Sequence, residues 1–88
     1  MAKMKSILNN RRPVGVRFTD NDVFITLSDG STVSNPLAWH EWLRDAAPNE
    51  RADYELFRTS IFWPQLDEGL DLEAILLGVQ PRQPHVIE

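Results

Sequence analysis

The chain has 88 residues, no cysteine and a net charge of −4 at neutral pH. A chain of that length forms one small domain burying roughly 60% of its unfolded surface, and the missing thiols exclude disulfide staples and zinc-thiolate sites. A hydrophobic share of 42% and a charged share of 25% exclude a disordered polymer, and no apolar run reaches the length of a membrane helix or a signal-peptide core. The expected location is the cytoplasm.

Lys3, Lys5, Arg11 and Arg12 give the first twelve residues a charge of +4, whereas the remainder carries five Arg against thirteen acids, a charge of −8. Residues 1–12 therefore read as a flexible basic arm. Lys3, Lys5, Arg11 and Arg12 are the candidate nucleic-acid contacts, although four charges also suit a merely solubilising end.

From residue 13 a single α+β domain is expected to run to residue 79. Val14, Val16 and Phe18 alternate with polar or small residues, as do Val23, Ile25 and Leu27, with a turn at Thr19–Asp22 between them. Asp29-Gly30 predicts a tight hairpin in which both residues take positive φ, leading into a short strand at Thr32–Ser34. Residues 14–34 thus read as a three-stranded antiparallel meander with one buried face.

Asn35-Pro36 suits the N-cap and first position of a helix. Trp39, Trp42, Leu43 and Ala46 then recur at helical spacing, which predicts an amphipathic helix of about three turns. Pro48 opens a shorter second helix through Asp53. Its N-cap, Ala47, offers no side-chain acceptor. Ser60–Trp63 reads as a short strand ending at Pro64. Asp71 caps a last helix, with Leu70 and Ile75 in staple positions, Leu72, Ile75, Leu76 and Val79 on its apolar face and Gly78 as its stop. Pro81 and Pro84 mark an irregular tail over residues 80–88.

The acidic group Asp67, Glu68 and Asp71 has three readings: helix capping, in which Asp71 is the N-cap and its neighbours accept loop N–H groups; a divalent metal or acid/base site; or a partner contact. The spacing is not that of a calcium loop, and no His–Ser or His–Cys pair accompanies it, so no catalytic residue, metal or cofactor is assigned. His40, on the first helix, reads as a surface or interfacial residue. Trp39 and Trp63 are expected in the core. Trp42 is expected at the edge of the buried face, where a large aromatic also serves as a binding anchor.

The stretches DGSTVSNPLAWHEWLRDAAPNERADYEL and IFWPQLDEGLDLEAILLG resemble the bacterial domain-of-unknown-function family 2442, over about residues 14–78. Its pattern runs D-G-R-x-I-x-x-P-L-x-W-x-x-R-L, A-T-P-E-x-R-x-x-W/Y-E and I-H-W-P-x-L-D-E-D-[IL]-x-V-x-x-L-L-x-G. The resemblance implies a small α+β fold with an N-terminal antiparallel sheet and following helices. It also implies a regulatory or partner-binding role, antitoxin-like in some members and fused to DNA-binding domains in others, with no family-wide enzyme activity. This chain departs from the pattern at four places. Trp42 replaces an Arg, Phe62 a His, Gly69 an Asp and Ala47 a Thr. A polar site built on those positions would be reduced here, and Trp42 and Phe62 would add apolar surface instead.

The expectation is a non-enzymatic protein-interaction or regulatory module, with Trp42, Phe62, His40, Asp67 and Glu68 as the partner-binding candidates. The alternatives are a nucleic-acid-linked transcriptional regulator using the basic arm and an acidic inhibitor occupying a partner's nucleic-acid groove. Partner identity and homo-oligomerisation stay open.

Overall fold

The computed structural model describes residues 10–78. Strands β1 (Pro13–Phe18), β2 (Asp22–Leu27) and β3 (Thr32–Pro36) form an antiparallel sheet in that order. A 3-10 turn (Leu37–Trp39) and two short helices, α1 (Glu41–Arg44) and α2 (Pro48–Ala52), lead to a second antiparallel sheet. That sheet pairs β4 (Glu55–Leu56), β5 (Ser60–Trp63) and β6 (Glu68–Asp71) in order, and α3 (Leu72–Leu77) follows directly. The α+β class and the N-terminal meander match the sequence expectation.

The first sheet turns Val23, Ile25 and Leu27 inward, each no more than 1% exposed. Their partners on β1 are Phe18, Val16 and Pro13, because the register shifts between Pro13 and Gly15. This bulge moves Val14 out to 48% exposure and gives its expected core place to Pro13. The β2–β3 hairpin also differs from expectation. Leu27 N–H bonds the Ser31 carbonyl, so three residues form the loop, and Gly30 alone has positive φ, at 91°. Asp29 instead accepts from the backbone N–H and hydroxyl of Ser31. Those bonds hold its carboxyl below the usual aspartate range, the Ser31 hydroxyl contributing most.

The expected three-turn helix is not formed. Asn35 and Pro36 stay in β3, opposite Val23 and Asp22, and Leu37 N–H bonds the Asn21 carbonyl at 2.8 Å. Extending the ladder satisfies backbone groups that an Asn35 cap would have left to a side chain. His40, at φ −132° and ψ 78°, then separates the 3-10 turn from α1. With the helix shortened, Leu37 and Leu43 are the buried residues of this segment, and Trp39 is only half-buried rather than core. Trp63 is fully buried as expected. At α2 the absent cap at Ala47 is partly offset, since Glu50 Oε1 accepts the Ala47 N–H at 2.8 Å.

The second sheet was legible only at β5. A turn over Pro64–Asp67, with Asp67 at φ 53°, folds the chain back so that Trp63 pairs with Glu68 and Ile61 with Leu70. Asp tolerates the left-handed region better than most residues, which allows the hairpin without glycine. Asp71 sits at the N-cap of α3 but makes no side-chain capping bond; it is also the last residue of β6. The expected staple residues Leu70 and Ile75 are both buried, and Gly78 ends α3 at φ 72°. Leu70, Leu72 and Ile75 join Ile61, Trp63, Leu37, Leu43 and the β2 residues in one core.

Candidate functional site

Where β3, the His40 break, β6 and α3 meet, they enclose a cleft of about 280 Å³. Asn35 and His40 lie at its base, both buried, and His40 Nε2 is 2.9 Å from Asn35 Oδ1. The Asn35 amide donates to the Ser34 carbonyl at 3.1 Å. Its oxygen therefore faces the imidazole, and His40 Nε2 is the donor. In the neutral ring Nδ1 then carries the lone pair. His40 makes no second hydrogen bond, yet no buried polar side-chain atom among the described residues lacks a partner. Nδ1 is therefore reached by solvent. Burial pushes the His40 pKa below the usual imidazole range, which favours this neutral form.

Trp42 forms one wall. Its ring packs edge-on against Trp63 at 5.6 Å and against His40 at 6.1 Å. Leu70, Ala74 and Ile75 supply apolar lining. Glu68 and Asp71, both exposed, complete the rim. Neither carboxylate makes an ion pair or a side-chain hydrogen bond. Arg44, on the same helix as Trp42, is engaged by Asp45 at 2.9 Å.

The structure thus brings Trp42, His40 and Glu68 together and leaves two candidates outside. Phe62 alternates with the buried Ile61 and Trp63, which turns it to the other face of β5, opposite Gly69. Asp67 is held in the Pro64–Asp67 turn. His40 is buried rather than a surface residue, being only 7% exposed. Among the described residues no three His, Asp or Glu side chains cluster closely enough to hold a metal ion. No helix among them is long and apolar enough to cross a membrane. Of the basic candidates, Arg11 lies 3.8 Å from Asp29, and the Arg12 backbone bonds Ser28. Lys3 and Lys5 fall outside the described residues.

Two residues that organise the cleft escaped sequence reading. Asn35 looked like a helix cap and is instead the partner that orients His40. Arg51 donates from Nε to the Leu43 carbonyl at 3.1 Å and from Nη2 to the Arg44 carbonyl at 2.8 Å. These are the last carbonyls of the helix that carries Trp42. Its own carbonyl accepts the Trp63 indole N–H at 2.9 Å, and its guanidinium lies 4.9 Å from the Phe18 ring centre. The signal available was Arg51 itself, the basic residue of the A-x-P-x-x-R segment within an acidic stretch.

A crystal structure of a protein of unknown function from Rhodospirillum rubrum ATCC 11170 has a similar fold, with a TM-score of 0.69 at 22% identity over 85% of this chain and 95% of that one. No curated protein matches the chain. A family model described as "Protein of unknown function (DUF2442)" matches residues 13–81, and the chain belongs to that family.

Proposed function

We propose that this domain is a non-enzymatic protein-binding module that regulates another protein by capturing it, with the Trp42 cleft as its contact site. The observation that carries this reading is the setting of Trp42. It is half-buried at a cleft wall and braced edge-on by two neighbouring rings. A rigid aromatic that loses little side-chain entropy on contact is the commonest kind of interface anchor. The nucleic-acid reading has less support, because Arg11 pairs with Asp29 and the cleft rim is acidic. The test is a tagged pull-down from native lysate with and without nuclease, read by mass spectrometry. One stoichiometric protein that survives nuclease and is lost with Trp42→Arg supports the module. Partners that vanish on nuclease treatment support the basic-arm regulator instead.

A further inference from the structure

A second hollow, of about 470 Å³, is walled by β1, α2 and Tyr54. Val16, Phe18, Pro48, Arg51, Ala52 and Tyr54 line it, and none of them lines the Trp42 cleft. We propose that this hollow binds a small organic acid, a single carboxylate on an aromatic or aliphatic stem, separately from any protein held at Trp42. Two observations carry this. The first is the state of Arg51, which is half-buried. Its Nε and Nη2 are engaged by the Leu43 and Arg44 carbonyls, and its guanidinium lies over Phe18. Those contacts fix the cation before any ligand arrives. Nη1 makes no hydrogen bond, and no carboxylate among the described residues pairs with Arg51, although residues 10–78 hold twelve Asp and Glu against six Arg. No buried side-chain nitrogen or oxygen among the described residues lacks a partner, so Nη1 is reached by solvent. The second is Tyr54. Its ring packs near Trp63 at 6.0 Å, yet its hydroxyl has no hydrogen-bond partner among the described residues and is likewise reached by solvent.

The lining therefore combines one cation, one hydroxyl and four side chains, those of Val16, Phe18, Pro48 and Ala52, that carry no polar atom. That is the make-up of a small-molecule site, apolar walls with a few polar groups to fix orientation, and the volume lies in the usual range. A carboxylate suits both polar groups, accepting from Arg51 Nη1 and from the Tyr54 hydroxyl. Its apolar stem covers the carbon walls and leaves water. An ammonium ligand meets the like charge of Arg51. A neutral amide forfeits the charge-assisted bond. A phosphate brings three oxygens to two donors and sets the remainder against carbon.

The experiment is NMR titration of the full-length labelled protein at about pH 7, where the ligand carboxyl is ionised and tyrosine is not. The probes are hydrocinnamate (a phenyl ring on a short carboxylate stem), its neutral amide and phenethylammonium. The expected result is saturable shifts of the Arg51 Nε–H and of the Val16 and Ala52 methyls with hydrocinnamate, at a Kd below about 5 mM. The amide is expected to bind at least about fivefold more weakly, and the ammonium to give no saturable shift. Tyr54→Phe, which keeps the ring beside Trp63, is expected to weaken hydrocinnamate about fivefold. Ala52→Leu, at an exposed position, is expected to keep the spectrum of the folded protein, to fill the hollow and to weaken binding by about tenfold or more. Equal shifts with the amide, shifts that map to the Trp42 cleft, no saturable shift up to about 20 mM, or undiminished binding in both variants each overturn the proposal. So does a capped Val-Glu-Val peptide that binds at least about tenfold more tightly than hydrocinnamate, which would assign the hollow to an acidic segment of a protein.

Discussion

Arg51→Ala removes the side chain that ties α2 to the end of α1 and leaves the Arg51 carbonyl free to keep its bond from Trp63. The lost interactions are the bonds to Leu43 and Arg44, at 3.1 and 2.8 Å, and the stacking on Phe18 at 4.9 Å. Arg51 is half-buried, so about 1 kcal/mol for each hydrogen bond and about 0.5 kcal/mol for the stacking are suitable values. The total is about 2–3 kcal/mol, a large share of the roughly 4–13 kcal/mol expected of a domain this size. The midpoint of thermal unfolding should fall by roughly 10–20 °C. Urea unfolding followed by tryptophan fluorescence and far-ultraviolet circular dichroism measures the change directly, with the slope expected to stay constant. Arg51→Lys should recover less than half of the loss, because an ammonium cannot make the same forked contact. A loss below about 0.5 kcal/mol for Arg51→Ala, or full recovery by lysine, would refute the role given to the fork.

Three further outcomes follow from local geometry. A Cβ at Gly69 would lie 2.7 Å from the Ile61 carbonyl oxygen across the β5–β6 ladder, so Gly69→Ala should cost about 1–3 kcal/mol, and an unchanged melting midpoint would contradict that contact. Gly30 meets nothing within 4 Å but has φ 91°, so Gly30→Ala should cost about 1 kcal/mol through backbone strain alone, measured in the same melts. The folded-state pKa of His40 is depressed by burial, so the unfolded chain binds its proton more readily. Its contribution to stability is full above the unfolded value near 6.5 and is lost as pH falls below it, with a limiting slope of about 1.4 kcal/mol per pH unit. His40→Gln should flatten the fall in stability as pH drops below about 6.5, and an identical pH profile for the variant would contradict a buried neutral imidazole.

The first sheet was legible because its strands alternate cleanly, with Val23, Ile25 and Leu27 fixing one buried face. Its details were not, since a one-residue bulge exchanges Val14 for Pro13 and no local rule places it. The second sheet was hidden for a different reason. Strand β4 has two residues, and β6 buries only Leu70, so neither offers a period to read. Asp67 and Glu68 therefore looked like the approach to a helix when they form a turn and a strand. The candidate site shows the same division. Trp42, His40 and Glu68 each stood out as residue types, but their meeting depends on β6 folding back on β5 and on Asn35 staying in β3. Both are tertiary outcomes that override the helix-capping preference of Asn-Pro.

The central claim is that the Trp42 cleft is where a partner protein binds, and the affinity of Trp42→Arg for the partner recovered in the nuclease-resistant pull-down tests it most directly. Circular dichroism first verifies that the variant is folded, and titration calorimetry then compares it with the natural chain. The account predicts a loss of about 2 kcal/mol or more, roughly thirtyfold in Kd, as for a central aromatic anchor. An affinity within about twofold of the natural chain's would place the interface elsewhere and contradict the account.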